Sequence, residues 1–141
     1  MASNEQLKVI DVGIGIVVRG GQILICRRRS NGSFGGYWEF PGGKIEPGES
    51  PADCVRRELR EELDISVTPV RGLDVIEHEY PKAWVRLHPF LCRHDTGEPT
   101  AISASEFVWV IPPALRDYRF PGANRGLVES LACGDLGVAG Y

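Results

Sequence analysis

The chain lacks any run approaching the ~20 apolar residues that a membrane-spanning helix needs, so no transmembrane helix is expected in its 141 residues. Its first stretch, Met1 to Lys8, lacks the basic and then apolar pattern of a signal segment. A cytoplasmic protein with no membrane partner is the expectation. Cysteine is sparse: Cys26, Cys54, Cys92 and Cys133 are scattered, with no C-x-x-C pair. That spacing argues against a disulfide framework or a zinc site and for reduced, mostly buried thiols. His78, His88 and His94 also lack metal-ligand spacing and receive no role. Positive charge is not in excess either. A formal charge of −3 argues against a surface for duplex nucleic acid, but not against a small anion that arrives with its cation. No repeat, low-complexity tract or linker divides the chain, so residues 1–141 are expected to form a single domain.

What the sequence does have is concentrated in one stretch. Gly42-Gly43-Lys44-Ile45-Glu46-Pro47-Gly48-Glu49-Ser50 reads as a glycine-rich loop feeding a helix from Pro51 to Leu63. Ser50 suits the N-cap and Pro51 the first helical position, where a missing N–H costs nothing. Asp53 is placed to answer Ser50 in a shortened capping box. Ala52, Val55, Leu59 and Leu63 recur at helical spacing as one apolar stripe. Glu58, Glu61 and Glu62 stand at i, i+3 and i+4 and gather on one flank beside it. Arg57 is expected to point away from the centre of that flank. Such acids usually mark a solvated face, balanced here by Arg56, Arg57 and Arg60. Their place directly after Gly42-Gly43, where backbone approaches a ligand closely, favours a hard divalent cation held by oxygens.

Around this stretch the chain alternates strands and turns. Leu7 to Val18 and Ile23 to Cys26 read as strands joined by a turn at Arg19-Gly20-Gly21-Gln22. In Arg27-Arg28-Arg29, alternation sends Arg28 to the face opposite its neighbours. Ser30 to Gly36 is a loop by composition, mobile as such. Trp38 and Phe40 share a strand face, either as core or as a wall against a flat base. Ile65 to Val70 and Leu73 to Tyr80 look extended, with a break at Arg71-Gly72. Ala83 to Arg93 is a further strand, with Pro89 suggesting an edge or a bulge, and His94 to Pro99 is a loop. Glu106 to Ile111 is the last strand, ended by Pro112-Pro113. Pro121 to Asn124 opens a final helix whose Leu127, Val128 and Leu131 face the core. By position alone Asn124 fits a helix cap, and Glu106 is one exposed acid among many. The pattern supports an α/β or α+β class with a mixed sheet.

Gly43, five residues, Glu49, seven residues, then Arg57-Glu58-Leu59-x-Glu61-Glu62-x-x-Ile65 resembles the signature box of the Nudix hydrolases. These enzymes cleave a nucleoside diphosphate linked to a further group. One position departs from the box: Asp64 stands where it has glycine, just past the helix end, where a left-handed conformation is common. Trp38-Glu39-Phe40-Pro41-Gly42-Gly43-Lys44-Ile45-Glu46 is similar to the MutT-type branch, and the likeness runs from about Val9 to Leu131. It implies an α/β/α sandwich. It implies Mg²⁺, with Mn²⁺ as a substitute, on Glu58, Glu61 and Glu62, with the Gly42 or Gly43 carbonyl adding an oxygen. By the same likeness Glu106 is a fourth metal-linked acid or the general base. Arg57 supports catalysis by pairing with Glu49 to hold the loop on the helix. Arg28 contacts the nucleotide, Phe40 with Glu39 beside it lies near the base, and Asn124 recognises the base. The implied reaction gives a nucleoside monophosphate and pyrophosphate, first from oxidised guanine nucleotides such as 8-oxo-dGTP. The alternatives are CTP or a modified pyrimidine triphosphate, and a non-catalytic module that only recognises a nucleobase. The expected partner is the small nucleotide itself; no protein partner follows.

Overall fold

The computed structural model describes residues 7–29, 35–102, 104 and 106–138. Strand β1 (Lys8–Arg19) is the spine. Tight pairing with β2 (Gln22–Arg27) starts at Arg19↔Gln22. The turn between them is built on Gly20 and Gly21, both at positive φ, which only glycine adopts without strain. The short strands β3 (Trp38–Glu39) and β4 (Gly42–Lys44) pair with β2 and β1 respectively. Helix α1 (Pro51–Leu63) follows, then β5 (Ser66–Gly72), β6 (Ile76–Tyr80), β7 (Ala83–Thr96) and β8 (Glu106–Val110). The chain ends in a 3₁₀ segment (Pro112–Asp117), a second 3₁₀ turn (Gly122–Asn124) and α2 (Arg125–Ala132). All eight strands join one mixed sheet, whose central pair is β1 parallel to β7.

Alternation along β1 divides the core in two. Ile14, Ile16 and Val18 face one side, with Ile23, Ile25, Phe40 and Leu91, and are covered by Leu115 and by Leu127, Val128 and Leu131 of α2. Val17 faces the other, with Leu24, Cys26 and Cys92, under Val55, Leu59 and Leu63 of α1. The sheet therefore lies between helical layers. On the α1 side β1 carries Gly13 and Gly15. A Cβ on Gly13 would stand 3.2 Å from Cys54 and Val55, and one on Gly15 3.1 Å from Leu59. The bare backbone there lets α1 sit down on the sheet.

Helix α1 has the expected limits. Ser50 accepts from the Asp53 N–H at 3.1 Å; Asp53, however, gives its carboxylate to Arg56 at 2.8 Å. Asp64 ends the helix at φ 56° and ψ 40°. Three expectations about strands need correction. β5 does not break at Arg71-Gly72: both residues pair with β7, after a shift of register between Pro69 and Arg71. β7 runs three residues past Arg93, because His94 and Thr96 find partners on β5. It is also central rather than an edge. Pro89 fits because β6 pairing ends at Leu87 and β5 pairing starts at Phe90. Its carbonyl accepts from Leu73 N–H at 2.8 Å across that seam, so the absent N–H faces a gap in the ladder. Residues 30–34 of the loop from Ser30 to Gly36, expected to be mobile, lie outside the described residues. Among the described residues no helix is long and apolar enough to cross a membrane.

Candidate active site

The glycine-rich loop reaches α1 through β4, and two glutamates of the helix meet its backbone. Glu62 Oε1 accepts from Gly42 N–H at 3.0 Å. The Glu58 carboxylate lies against Gly43, where a Cβ would collide with it; one on Gly42 would strike the Gly13 carbonyl. Both positions are glycine because the backbone is in contact on that side. Burial pushes the Glu62 carboxyl up to about 7; the Gly42 N–H pulls it back, the charges of Glu39 and Glu58 raise it further, and Arg28 opposes them. Burial also raises Glu39, against the pull of Arg28. Negative charge is thus crowded into a half-buried space.

Arg57 is the hub of the loop–helix junction, and the expectation that it points away from the centre of the acidic flank does not hold, because it reaches two of the three acids. Its guanidinium grips Glu49 with two bonds, 2.7 and 3.0 Å, and donates to Glu58 at 2.9 Å and Glu61 at 3.0 Å. It reaches the Lys44 carbonyl at 3.1 Å as well. Five donors in a fixed fork make this possible. The bond from Arg57, helped by the Glu46 N–H and opposed by burial, holds the Glu49 carboxyl down to about 2. Glu61 is more exposed than Glu58 and Glu62 and is tied to Arg57 on the outer side. Glu106 pairs with Arg27 at 3.0 Å rather than joining Glu58 and Glu62. Among the described residues no three of His, Cys, Asp and Glu converge closely enough to hold a metal ion as they stand. The donor chemistry nevertheless fits one. Glu58, Glu62 and Glu61 offer oxygen only, and the Glu62 carboxyl, raised chiefly by burial, is one whose charged form a hard cation would favour.

Beside this junction opens a cleft of about 310 Å³. Gly42, Gly43 and Lys44 form its floor on the loop side; Val12, Ile14, Val85 and Leu87 from the parallel β1–β7 pair form an apolar wall. Arg28 and Glu39 stand in it as an ion pair at 2.7 Å. Phe40 is buried beside it with its ring 5.1 Å from Phe120, so it serves both core and cleft. Asn124 lines the far side with Pro121 and Ala123. It is a buried polar residue, 9% exposed. The capping expectation fails here: Asn124 precedes α2 with helical backbone angles and makes no side-chain cap bond. The sequence did not point to Tyr80, Val12, Val85 or Leu87, which also line the cleft. No short-range signal marks them, because the parallel register of β1 on β7 assembles the wall. Nor did it point to Cys54, whose thiol sits under the loop with its pKa pushed up to about 11 by burial.

A layered α/β/α fold with a glycine loop docked on an acidic helix defines the class of site: oxygen donors suited to a hard cation, beside a cleft with an apolar wall. Residues 13–130 match the family described as NUDIX domain, and the chain belongs to that family. Over 125 residues it is 34% identical to the 8-oxo-dGTP diphosphatase of Haemophilus influenzae, covering 88% of this chain and 92% of that one. It is 33% identical over 124 residues to the CTP pyrophosphohydrolase of Escherichia coli, again covering 88% and 92%. The solved structure of the ORF135 protein of E. coli superposes with a TM-score of 0.79 at 31% identity, with 92% of each chain covered. Hydrolases of this family generally need a divalent metal.

Proposed function

We propose that this chain, as one domain over residues 1–141, is a Mg²⁺-dependent nucleoside triphosphate pyrophosphohydrolase that acts on oxidised guanine nucleotides, turning 8-oxo-dGTP into 8-oxo-dGMP and pyrophosphate. One observation carries the reading: a cleft with an apolar wall, an arginine and a buried amide opens directly onto the loop where Glu58 and Glu62 meet Gly42 and Gly43. Base, phosphate and cation then have adjoining places. Bound at Glu58 and Glu62, with Glu61 reachable from the same helix, a divalent cation supplies neutralising charge for phosphate oxygens and an acidified water.

The chain's own residues do the rest. Arg57 holds Glu49 and Glu58 so that loop and helix keep one spacing. Arg28 leaves Glu39 to meet a phosphate, a charge-assisted exchange of one anion for another. Phe40 and the β1–β7 wall take the flat base. Asn124 offers a carbonyl acceptor and an NH₂ donor side by side. Guanine presents acceptors at O6 and N7, which leaves the amide carbonyl facing an acceptor. In 8-oxoguanine N7 carries a hydrogen, and both halves of the amide are paired. Glu106 is kept as the candidate further acid or base; to act there it must exchange Arg27 for the site. A second reading, the same chemistry on CTP, is favoured by the relative named for that activity.

The test is pyrophosphate release from a panel of normal and damaged nucleotides, with and without Mg²⁺. Glu58→Gln and Glu62→Gln are expected to lose most turnover at limiting Mg²⁺ while staying folded, since removing an acid from a crowded acidic site costs no stability. Near-normal turnover in both variants would reject the assignment of the cation. Release of inorganic phosphate as the sole small product would reject the reaction.

A further inference from the structure

The loop–helix junction also holds one uncharged side chain beside the acid cluster, with Arg57 Nη2 3.9 Å from its sulfur. Cys54 is fully buried, 0% exposed, in the first turns of α1. Its Sγ lies 3.3 Å from the Gly43 carbonyl and 3.5 Å from the Lys44 carbonyl. Gly13 of β1 closes the slot from behind, since a Cβ there would stand 3.2 Å from the sulfur. The buried side chains of α1 are Cys54, Val55, Leu59 and Leu63, and of these Cys54 alone has a hydrogen to donate. The same backbone meets the acids on its other side: Gly42 N–H donates to Glu62, and Glu58 lies against Gly43. Arg57 also holds Lys44, with its Nη2 3.1 Å from that carbonyl. The strand Gly42–Lys44 is therefore clamped twice from α1, by a guanidinium on the outside and by a thiol on the inside.

We propose that Cys54 is a positioning residue for the cation site: by donating its single thiol hydrogen to the Gly43 carbonyl, with the Lys44 carbonyl as the second acceptor in reach, it sets the distance of the Gly42–Lys44 backbone from Glu58 and Glu62. The proposal rests on the divalent-cation reading of those glutamates. It differs from core filling in one respect that an experiment can reach. Packing needs only the volume of the sulfur, whereas positioning needs its hydrogen. Valine fills the slot without a donor, alanine leaves both volume and donor missing, and serine restores a donor on a shorter bond. Serine here can also turn back to the Ser50 carbonyl, as hydroxyls in helices do, so its rescue is partial.

The probe is Mn²⁺ bound to the nucleotide-free protein, followed by the electron paramagnetic resonance signal of the free ion. Thermal midpoints of each variant are taken alongside. Cys54→Ala and Cys54→Val are expected to weaken Mn²⁺ binding by about threefold to tenfold, the range one modest hydrogen bond supports. Cys54→Ser should fall between them and the unmodified protein. The Mg²⁺ concentration for half-maximal turnover should rise in the same order, so that activity falls more at limiting than at saturating Mg²⁺. Cys54→Val binding Mn²⁺ as tightly as the unmodified protein would make Cys54 a packing residue only. So would Cys54→Ser binding no better than Cys54→Val, and this comparison still decides if Cys54→Ala fails to fold. If the unmodified protein itself takes up no Mn²⁺, the cation reading fails first and separately.

Discussion

A buried amide is an expensive residue unless something pairs with it. Asn124 sits 9% exposed at the cleft and gives nothing to the cap of α2. Leaving one polar group unpaired in a buried site costs about 1–3 kcal/mol, and sites built on such pairing discriminate by large factors. Asn124→Ala is therefore expected to lower kcat/KM for 8-oxo-dGTP far more than for dGTP. Asn124→Asp, which lacks the NH₂ donor, should weaken guanine binding through O6. Steady-state kinetics on the two nucleotides checks both. An unchanged ratio, with a loss of thermal stability alone, would return Asn124 to a structural role and leave the base unspecified. The residues of this site were legible to different degrees. Glu58 and Glu62 stand four apart on one helix, so local spacing places them with Gly42 and Gly43. Arg28 just past β2, Glu39 of β3 and Asn124 of the second 3₁₀ turn stand apart in the sequence, and only the resemblance could gather them. Glu106 likewise rests on that route alone. Its register partner on β2 is Arg27, which pairs with its carboxylate at 3.0 Å.

At the scale of the element, α1 shows how a local rule can be broken at one residue and repaired by tertiary contacts. Asp64 is the only non-glycine among the described residues at positive φ. Its N–H closes the helix on the Arg60 carbonyl at 3.0 Å. The carbonyls of Glu62 and Leu63, which a helix end leaves without internal partners, accept from Ile102 and Thr100 N–H at 3.1 and 2.9 Å. The loop after β7 thus caps the turn that carries Glu62, and Gly97 at φ 92° passes close under the Asp64 carbonyl. Asp tolerates the left-handed region at some cost, and glycine does not pay it. Asp64→Gly is expected to stabilise the fold by about 0.5–1 kcal/mol, less the extra freedom glycine gives the unfolded chain. Urea unfolding measures it. A loss of stability would mean that the Asp64 side chain contributes more than its backbone strain costs. This end of the helix was partly readable in advance because a left-handed residue commonly follows a helix stop. The ends of β5 and β7 were not, because their last pairs form with each other and not with a local hydrophobic pattern.

For the whole molecule, the parallel β1–β7 pair is the joint on which both cores and the cleft wall depend, and no periodicity announces it. Its pairing runs from Lys8↔Ala83 to Val18↔Arg93. Near the open end, on the α1 side, a charged lock replaces apolar packing. Asp11 receives two bonds from Arg86, 2.7 and 2.9 Å, and lies 2.9 Å from His88 Nε2. Its backbone carbonyl takes Ile45 N–H at 2.9 Å, so the same residue ties the two strands to the segment after β4. Bonds from Arg86 first and His88 second, against a small opposing effect of burial, hold the Asp11 carboxyl down to about 2, below its ordinary 3.8. Between those values the unfolded chain binds more protons than the folded one, so stability rises with pH across this window. The contribution of the lock is complete above about 4 and disappears as pH falls towards 2. Other acids, Glu49 and Asp95 among them, have lowered pKa values and follow the same trend, so the total acid profile cannot isolate Asp11. The difference between the protein and Asp11→Asn can. That difference in urea midpoint should be present at pH 5 and shrink steeply from pH 4 to 2.5. Because the carboxylate is a third exposed, solvent screens it and the gap at neutral pH should be modest, on the order of 1 kcal/mol or less. A gap that stays constant down to pH 2.5 would mean that the amide fails for its missing acceptor oxygen, and that charge plays no part in joining β1 to β7.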